Sequence, residues 1–334
     1  MKIAIAVPPS AVPRGGNRHT AARWSRFLRG LGYRVRVVTD WDGGPEDMLL
    51  ALHAYKSFPS IAKFAQLRPQ APLVLALTGT DVYRDIRKYP EAKRALSLAS
   101  RLIVLQGAAL QELSPAQRRK ARVVRQSSDV RLRHNPVKGC FRIAVVGHLR
   151  AEKDPFRAAM ALRYIKPTTP VEVLQIGGAL NRKMKAGCLA EERRDSRYRW
   201  LGSVSHRQAM QQLSRSHVLV VSSTMEGGAN VICEAARIGV PVLASKIPGN
   251  VGMLGQNYRG YFPLFDHEAL SRLIERARTS PEFYSSLKRA TMKRASLFAP
   301  ALERSALKRA IEKLPRASGT AKAAPMRKRK RIRT

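Results

Sequence analysis

Short apolar runs alternate along the chain with segments in which apolar residues recur at helical spacing. The first run covers residues 3–7 and is followed by a loop that contains Pro and Gly. One helix face, at positions i, i+3, i+4 and i+7, is then formed by Trp24, Phe27, Leu28 and Leu31. Further buried strands are predicted at residues 35–39, 48–52, 73–77 and 102–105. This alternation of strand and helix predicts a parallel sheet covered by helices on both faces.

The same alternation begins again after a break in the pattern. Residues 127–140, SSDVRLRHNPVKGC, are polar, contain Pro136 and Gly139 and follow neither period, so they predict a linker. Beyond it, strands are predicted at residues 141–146, 171–176, 218–221 and 240–244, with helices from about residue 154 and over about 228–238. The predicted fold is α/β, with two doubly wound Rossmann-like domains that face each other across a cleft.

The domain boundaries follow from these breaks. Residues 1–126 are predicted to form the first domain, residues 127–140 the linker and residues 141–295 the second domain. Residues 296–314 are predicted to form a C-terminal helix that crosses back to the first domain. Residues 315–334 contain little that could be buried, which predicts a disordered basic tail.

The charge balance narrows the classes of partner. The 334 residues include 62 Lys and Arg against 23 Asp and Glu, and the net charge of +39 is spread over both halves, which indicates anionic ligands. Aromatic residues make up 6% and do not alternate with basic residues on a strand, which argues against a specific nucleic-acid-binding protein. Three cysteines form no CxxC pair, which argues against a structural zinc and suits a reducing cytoplasm. No apolar run approaches the roughly 18 to 20 residues that cross a bilayer, so no membrane span is expected.

The strongest candidate for chemistry is VLVVSSTMEGGANVICEAARIGVPVLAS, residues 218–245. A strand leads into Glu226 and two glycines, and a helix that begins near Gly228 carries Glu234 about one turn inside. A helix start presents free N–H groups and the positive end of its dipole, which suits a diphosphate. Glu234 offers two oxygens to the hydroxyls of a ribose, and Glu226 could accept hydroxyls of a hexose. The predicted substrate-binding residues between them are Gly227, Gly228, Ala229, Asn230 and Val231.

Two carboxylates with seven residues between them, in this strand-loop-helix context, resemble the E-x7-E signature of the retaining glycosyltransferases of GT-B family 4. The resemblance implies a GT-B fold in which Glu234 holds the nucleotide ribose and Glu226 holds the donor sugar.

The opening of the second domain, VVGHLRAEKDP at residues 145–155, is similar to the segment that binds the donor diphosphate in that family. Lys153 matches the family's lysine, whereas His148 stands where an arginine is usual. Either His148 or Arg150 is therefore expected to supply the second positive charge. With Glu226, these three residues form the predicted catalytic set.

Two loops of the first domain are expected to complete the cleft. Within residues 8–20, Gly15 and Gly16 look like the family's N-terminal glycine loop, whose backbone lies against the donor phosphate and the acceptor. The acceptor is expected to be held there, together with Asn17 and Arg18.

The second loop, LALTGTDVYRD at residues 75–85, has Thr78 where the family usually has a histidine. Thr80 and Asp81 are candidate substrate-binding residues, and Asp81 is either a substrate ligand or a helix N-cap. His53, at the end of an earlier strand, is interpreted as a structural residue.

Five segments taken together, GGNRHTAARW, ALHAYKS, ALTGTDVYRD, VGHLRAEKDP and EGGANVICEA, are similar to the selenosugar synthases of selenoneine biosynthesis. The resemblance covers about residues 1–300 and implies sugar transfer from UDP-glucose or UDP-N-acetylglucosamine to selenophosphate, with formation of a C–Se bond. A selenium nucleophile is soft and already anionic, so it requires no strong general base. No cofactor is expected, and no catalytic metal, since no Asp-x-Asp motif follows a strand.

One alternative remains open at this point. A glycosyltransferase of the same fold could act on a lipid or saccharide hydroxyl at a membrane surface, where the positive charge would serve docking on anionic lipid. The sequence also leaves open which sugar the donor carries, the anomeric outcome and the oligomeric state.

Overall fold

The computed structural model describes residues 1–9, 15–312 and 314. Within these ranges the chain forms two six-stranded sheets, one in each half, and every pair of neighbouring strands is parallel. The predicted α/β fold with two doubly wound domains is confirmed. The predicted tail, residues 315–334, lies outside the described residues.

The first sheet has the strand order β2-β1-β3-β4-β5-β6. Its strands are β1 (Lys2–Ala6), β2 (Arg34–Val38), β3 (Met48–Leu52), β4 (Leu73–Leu77), β5 (Arg101–Val104) and β6 (Ala121–Val123). The helices around it are α1 (Gly16–Arg29), α2 (Phe58–Leu67), α3 (Ile86–Lys88), α4 (Pro90–Leu98) and α5 (Pro115–Arg119). A π-helical turn, Asp81–Asp85, leads into α3, and a 3₁₀ segment, Gly107–Glu112, follows β5.

The second sheet has the strand order β12-β11-β10-β7-β8-β9. Its strands are β7 (Phe141–Val146), β8 (Val171–Ile176), β9 (Tyr198–Trp200), β10 (Val218–Val221), β11 (Val242–Ser245) and β12 (Tyr261–Phe262). The remaining α-helices are α6 (Arg157–Leu162), α7 (Arg182–Arg194), α8 (His206–Ser214), α9 (Asn230–Ile238), α10 (Pro248–Leu254), α11 (His267–Thr279), α12 (Pro281–Lys293) and α13 (Pro300–Ile311). Two 3₁₀ segments, Ala151–Lys153 and Ala295–Phe298, complete this half.

Each sheet has one place where the direction of strand addition reverses. In the first sheet it lies between β1 and β3, and in the second between β7 and β10. At such a reversal, the connections that follow two neighbouring strands run to opposite faces of the sheet. This opens a crevice at the carboxyl ends of the two strands, which is where open α/β sheets bind ligands. The two reversals therefore mark where a site is expected.

The central strands explain why the apolar runs are continuous rather than alternating. Every residue of β3 and β4 is buried, because helices cover both faces of the sheet. On α1, Trp24 and Leu28 of the predicted helix face are fully buried.

The C-terminal helix α13 packs on the first domain. Its Leu307, Ala310 and Ile311 share a buried cluster with Trp24. The carboxylate of Glu303, also on α13, accepts hydrogen bonds from Trp24 Nε1 at 2.7 Å and from the amide of residue 127 at 2.8 Å. The chain thus begins and ends its described part in the same domain.

Three short edge strands, β6, β9 and β12, were not predicted, because two or three residues at a sheet edge carry no readable period. Helix α6 begins at Arg157 rather than near residue 154, since Asp154 adopts a left-handed conformation with φ of 43°.

Candidate active site

The carboxyl ends of β7, β8 and β10 meet at the reversal of the second sheet. Gly147 and Gly177 follow β7 and β8 with φ of 154° and 147°. A Cβ on Gly177 would lie 2.0 Å from the carbonyl oxygen of Gly147, so the two loops touch backbone to backbone. Glycine is required here both for its conformation and for this contact.

An ion pair joins the loops that follow β7 and β10. Lys153 Nζ contacts Glu226 Oε1, and Ser223 Oγ donates to the same oxygen at 2.6 Å. Glu226 is 6% exposed, and its Oε2 has no hydrogen-bond partner within the described ranges. Ser222 Oγ donates to the carbonyl of Asp154 at 2.8 Å, which holds the Lys153 loop against the end of β10. One carboxylate oxygen of this pair is therefore left to accept from a ligand.

Helix α9 begins directly after this pair and has an open N-terminus. Its N-cap, Ala229, provides no side-chain hydrogen bond, and the first turn carries no acidic residue. Val231 lines a small cavity together with Lys153 and Ser222. Unpaired N–H groups and the helix dipole make such an end a site for an anion.

Glu234 lies one turn further along α9 and is held by a residue that the sequence did not indicate. His206 Nε2 donates to Glu234 Oε1 at 2.8 Å. The carboxylate raises the pKa of His206 above its usual value. No motif joins two residues that lie 28 positions apart, and the contact exists because α8 packs beside α9.

His148 and Arg150 lie at the mouth of the same crevice. His148 Nδ1 accepts from the amide of Gly178 at 3.2 Å. Burial lowers the pKa of His148, and the charge on Arg150 lowers it further. Both effects favour the neutral imidazole of His148, and the expectation that either His148 or Arg150 supplies the second positive charge stays a prediction. Arg150 is exposed and forms no side-chain hydrogen bond with the described part of the chain, so of these two residues it is the one with an unpaired cationic side chain.

On the opposite wall, Asp81 is fully buried. Its carboxylate accepts from the amides of Ala54 at 3.0 Å, Thr78 at 2.9 Å and Gly79 at 2.7 Å. These bonds tie the end of β3 to the loop after β4. Asp81 therefore holds the loop together, and of the two predicted alternatives its burial favours a structural role over that of a substrate ligand.

Thr80 takes part in a buried chain of hydrogen bonds. His53 Nε2 lies 3.0 Å from Thr80 Oγ1, which in turn lies 3.4 Å from Asp85 Oδ2. His53 has φ of 80°, and burial lowers its pKa below the usual value. Arg84 Nε donates to Asp85 at 2.9 Å, and Arg84 NH1 also reaches Glu152 of the second domain at 3.6 Å. The structural interpretation of His53 is compatible with this arrangement.

The loops of the two domains are in direct contact beside Glu226. A Cβ on Gly227 would lie 2.4 Å from the carbonyl of Thr78 and 2.6 Å from the amide of Gly79. A Cβ on Gly228 would lie 2.9 Å from Leu105. The two glycines thus allow the loop after β10 to lie directly against the first domain, because neither has a side chain that would separate the two backbones.

The N-terminal glycine loop is described only in part. Gly15 is the N-cap of α1 and has no side chain that could cap the helix. Gly16, Asn17 and Arg18 form its first turn. A Cβ on Gly16 would meet no atom within 4 Å from the described residues outside its own helix turn. Helix α1 reaches the second domain further along, where Arg23 donates to Asn230 Oδ1 at 3.4 Å.

The described ranges contain neither a metal-binding cluster nor a membrane-spanning helix. No group of three or more His, Cys, Asp or Glu side chains there could hold a metal ion. Among the same residues, no helix is both long enough and apolar enough to cross a membrane.

Residues 129–294 match the family model described as "Glycosyl transferases group 1". The match includes the loop with Glu226 and the helix with Glu234. Together with the two facing parallel sheets, it defines a glycosyltransferase with the GT-B fold.

Solved structures similar to the chain cover nearly its whole length. HepE from Anabaena, in complex with UDP and glucose, is 17% identical, with a TM-score of 0.75 over 92% of this chain and 98% of that chain. Sucrose-phosphate synthase from Thermosynechococcus elongatus is 18% identical, with a TM-score of 0.73 and the same coverage. The lipopolysaccharide outer core galactosyltransferase WaaB is 12% identical, with a TM-score of 0.66 over 93% of this chain and 99% of that chain. A search among curated protein sequences gave no match.

Proposed function

We propose that this glycosyltransferase moves a glucose-type sugar from a UDP-sugar to selenophosphate and forms a 1-seleno-sugar. Selenium attacks C1 of the sugar, the C1–O bond to the diphosphate breaks, and UDP leaves with the bonding electron pair. Water then cleaves the Se–P bond, which releases inorganic phosphate and leaves the seleno-sugar.

The donor half of the proposal is supported by the arrangement around α9. The open N-terminus of α9 and Lys153 offer positive charge to a diphosphate. Each of Glu234 and Glu226 has one carboxylate oxygen without a partner in the described ranges, and we assign Glu234 to the ribose hydroxyls and Glu226 to hydroxyls of the sugar. HepE, which has the same fold, is described in complex with UDP and glucose, and this supports a UDP-sugar donor here.

One observation carries the acceptor half: the backbone of Gly227 lies against Thr78 and Gly79. A cleft closed this tightly beside Glu226 suits a small acceptor better than a saccharide or a lipid. Arg150, which is exposed and forms no side-chain hydrogen bond with the described part of the chain, brings positive charge to the mouth of the same crevice. A small, negatively charged nucleophile such as selenophosphate fits both features.

The chemistry places modest demands on the side chains. Selenophosphate is already anionic, so no residue must remove a proton from it. The main task is electrostatic, because negative charge develops on the departing diphosphate in the transition state. Lys153 and the N-terminus of α9 stabilise that charge.

We further propose that no metal and no cofactor takes part, since Lys153 and the helix terminus supply the positive charge that a metal would provide. Turnover is expected to be unchanged after exhaustive treatment with EDTA. A loss of activity that added Mg²⁺ or Mn²⁺ restores would refute this point.

The direct test is incubation with UDP-glucose or UDP-N-acetylglucosamine and selenophosphate, with mass analysis of the products and assays of released UDP and phosphate. Thiophosphate is expected to be a poorer acceptor, and a neutral alcohol to be inert. Efficient transfer to alcohols with none to selenophosphate would refute the acceptor. If no acceptor led to consumption of a UDP-sugar, the donor would be wrong as well.

The glycine loop offers a separate test of the acceptor position. A Cβ at residue 16 has no neighbour within 4 Å among the described residues outside its own helix turn, so Gly16→Val is expected to fold and to bind UDP. It is expected to lose transfer, because the side chain obstructs the backbone that receives selenophosphate. Arg18→Ala is expected to raise KM for selenophosphate more than KM for the UDP-sugar. Equal changes in both constants would remove Arg18 from the acceptor site.

A second function is favoured by one feature of the first domain. Tyr55 and Tyr89 stack with ring centroids 4.0 Å apart, and Lys88 lies 5.3 Å above the Tyr89 ring. Tyr55 is exposed and Tyr89 is partly buried, and such an aromatic pair with a neighbouring cation suits a lipid or saccharide acceptor at an anionic membrane. Co-sedimentation with anionic vesicles, together with a requirement for a lipid acceptor, would favour this function over transfer to selenophosphate.

A further inference from the structure

A histidine that the proposed reaction does not use lies against the proposed ribose carboxylate. His206 is the first residue of α8, and its Nε2 donates to Glu234 Oε1 at 2.8 Å. The His206 side chain is 52% exposed, while the Glu234 side chain is only 14% exposed. The bond therefore links a residue at the rim of the crevice to a carboxylate further inside it.

This bond divides the two oxygens of Glu234 between two tasks. Oε1 accepts from His206, whereas Oε2 has no hydrogen-bond partner among residues 15–312. Glu234 shares one face of α9 with Asn230 and Val231, at spacings of four and three, so it projects beside the open helix start. A glutamate on a helix has several rotamers available, and a bond from a neighbouring helix selects one of them.

We propose that His206 is a positioning residue for ribose recognition: its bond to Oε1 holds Glu234 so that Oε2 receives a ribose hydroxyl. This inference rests on the proposed function, in which Glu234 binds the ribose of the UDP-sugar.

Charged and titratable groups from three other elements face His206. They are Glu234 on α9, Asp129 in the linker, and His19 on α1, whose ring centroid lies 6.1 Å from that of His206. Asp129 in turn pairs with Arg26 at 3.4 Å. The Glu234 carboxylate is the main cause of the raised pKa of His206, and Asp129 adds to it. The bond is therefore charge-assisted below that pKa and weaker above it.

The experiment compares UDP with 2′-deoxy-UDP by calorimetric titration. The parent protein is expected to prefer UDP by about tenfold, the value of one hydrogen bond to a charged group. His206→Ala is expected to reduce this preference to about twofold to threefold, because Glu234 then samples other rotamers. Arg207→Ala changes the adjacent exposed residue, which makes no side-chain bond in the described part of the chain, and is expected to keep the full preference.

A pH series separates positioning from general support of the helix. Gln at position 206 can donate one neutral hydrogen bond, so His206→Gln is expected to keep most of the preference for UDP. In the parent protein the preference is expected to decline as pH rises through the pKa of His206. In His206→Gln it is expected to be independent of pH.

The outcomes distinguish this inference from the proposal on which it rests. If Glu234→Ala leaves the preference for UDP unchanged, the proposed ribose role of Glu234 is wrong. If Glu234→Ala abolishes the preference but His206→Ala retains it, only the role of His206 is overturned. An equal loss of affinity for both nucleotides in His206→Ala would likewise overturn it, since such a loss reports on the fold of the site rather than on the ribose.

Discussion

Two carboxylates stand on opposite walls of the cleft, and their surroundings differ in kind. Asp81 in the first domain accepts from three backbone amides and is fully buried. Glu226 in the second domain accepts from two side chains, Lys153 and Ser223, and keeps one oxygen without a partner in the described ranges. Backbone amides cannot leave without unfolding the loop, whereas a lysine and a serine can turn towards a ligand. The same chemical group is therefore structural on one wall and available on the other.

The histidines on the two walls show a similar contrast. Burial lowers the pKa of both His53 and His148. His53 is enclosed behind Thr80, whereas His148 is only partly buried and bonds the amide of Gly178. The first wall is thus built from closed networks, and the second presents groups that a ligand can reach.

The largest effect is expected from Glu226→Gln. The amide keeps the size of the side chain but loses the charge that pairs with Lys153, so turnover is expected to fall by about 100-fold, or about 2.7 kcal/mol. Free UDP is expected to bind nearly as before, because the proposed partner of Glu226 is the sugar rather than the nucleotide. Initial rates and UDP titrations measure the two effects, with Glu268→Gln, an exposed change on α11, as the control. Equal losses for UDP and the UDP-sugar would contradict the assignment.

Asp81→Asn is expected to act on stability instead. The amide group replaces one acceptor oxygen by a donor, so buried backbone N–H groups lose partners at a cost of about 2 kcal/mol. Urea unfolding measures this loss, and Asp40→Asn, an exposed change, is the control. If the variant kept its stability but no longer transferred sugar, Asp81 would be a substrate ligand, and the contrast between the two walls would be wrong.

The linker between the two regions is expected to respond to acid. His134 Nε2 donates to the carbonyl of Ser216 at 2.9 Å, and burial lowers the pKa of His134 to about 4. Because an unfolded histidine has a pKa near 6.5, the unfolded chain binds the proton first as pH falls, and the folded state loses stability between pH 6.5 and 4. The expected loss from this residue is about 1 to 2 kcal/mol. Unfolding of the parent protein and of His134→Gln at pH 7 and pH 4.5 measures it, and identical pH profiles would contradict it.

The smallest effect is expected from removal of residues 316–334. Met326 and Ile332 are the only large apolar side chains in the sequence of this segment, so it is not expected to be needed for transfer. Turnover at fixed salt is expected to change by less than about twofold. A large fall would show that the basic segment takes part in the reaction.

Much of the architecture could be predicted because it is encoded locally. Strands β3, β4, β7, β8 and β10 begin and end where the apolar runs do. Three of the four edge strands, β6, β9 and β12, were missed, since each is too short to show a period, whereas the five-residue edge strand β2 was predicted. In the candidate site, the pairing of Glu226 with Glu234 could be predicted from their spacing, because both residues belong to one strand-loop-helix unit.

The sequence by itself determined the alternation of elements, the break between the domains and the pair of carboxylates on the donor side. These depend on periods and spacings within a single segment. Only the tertiary structure decided which of these side chains are buried and which hydrogen bonds they form. Asp81 accepts a hydrogen bond from an amide 27 residues away, and His148 accepts one from an amide 30 residues away. His206 donates a hydrogen bond to Glu234, which lies 28 residues further along the chain. Burial and hydrogen bonding depend on which segments the fold brings together, and that information is not present in any local spacing.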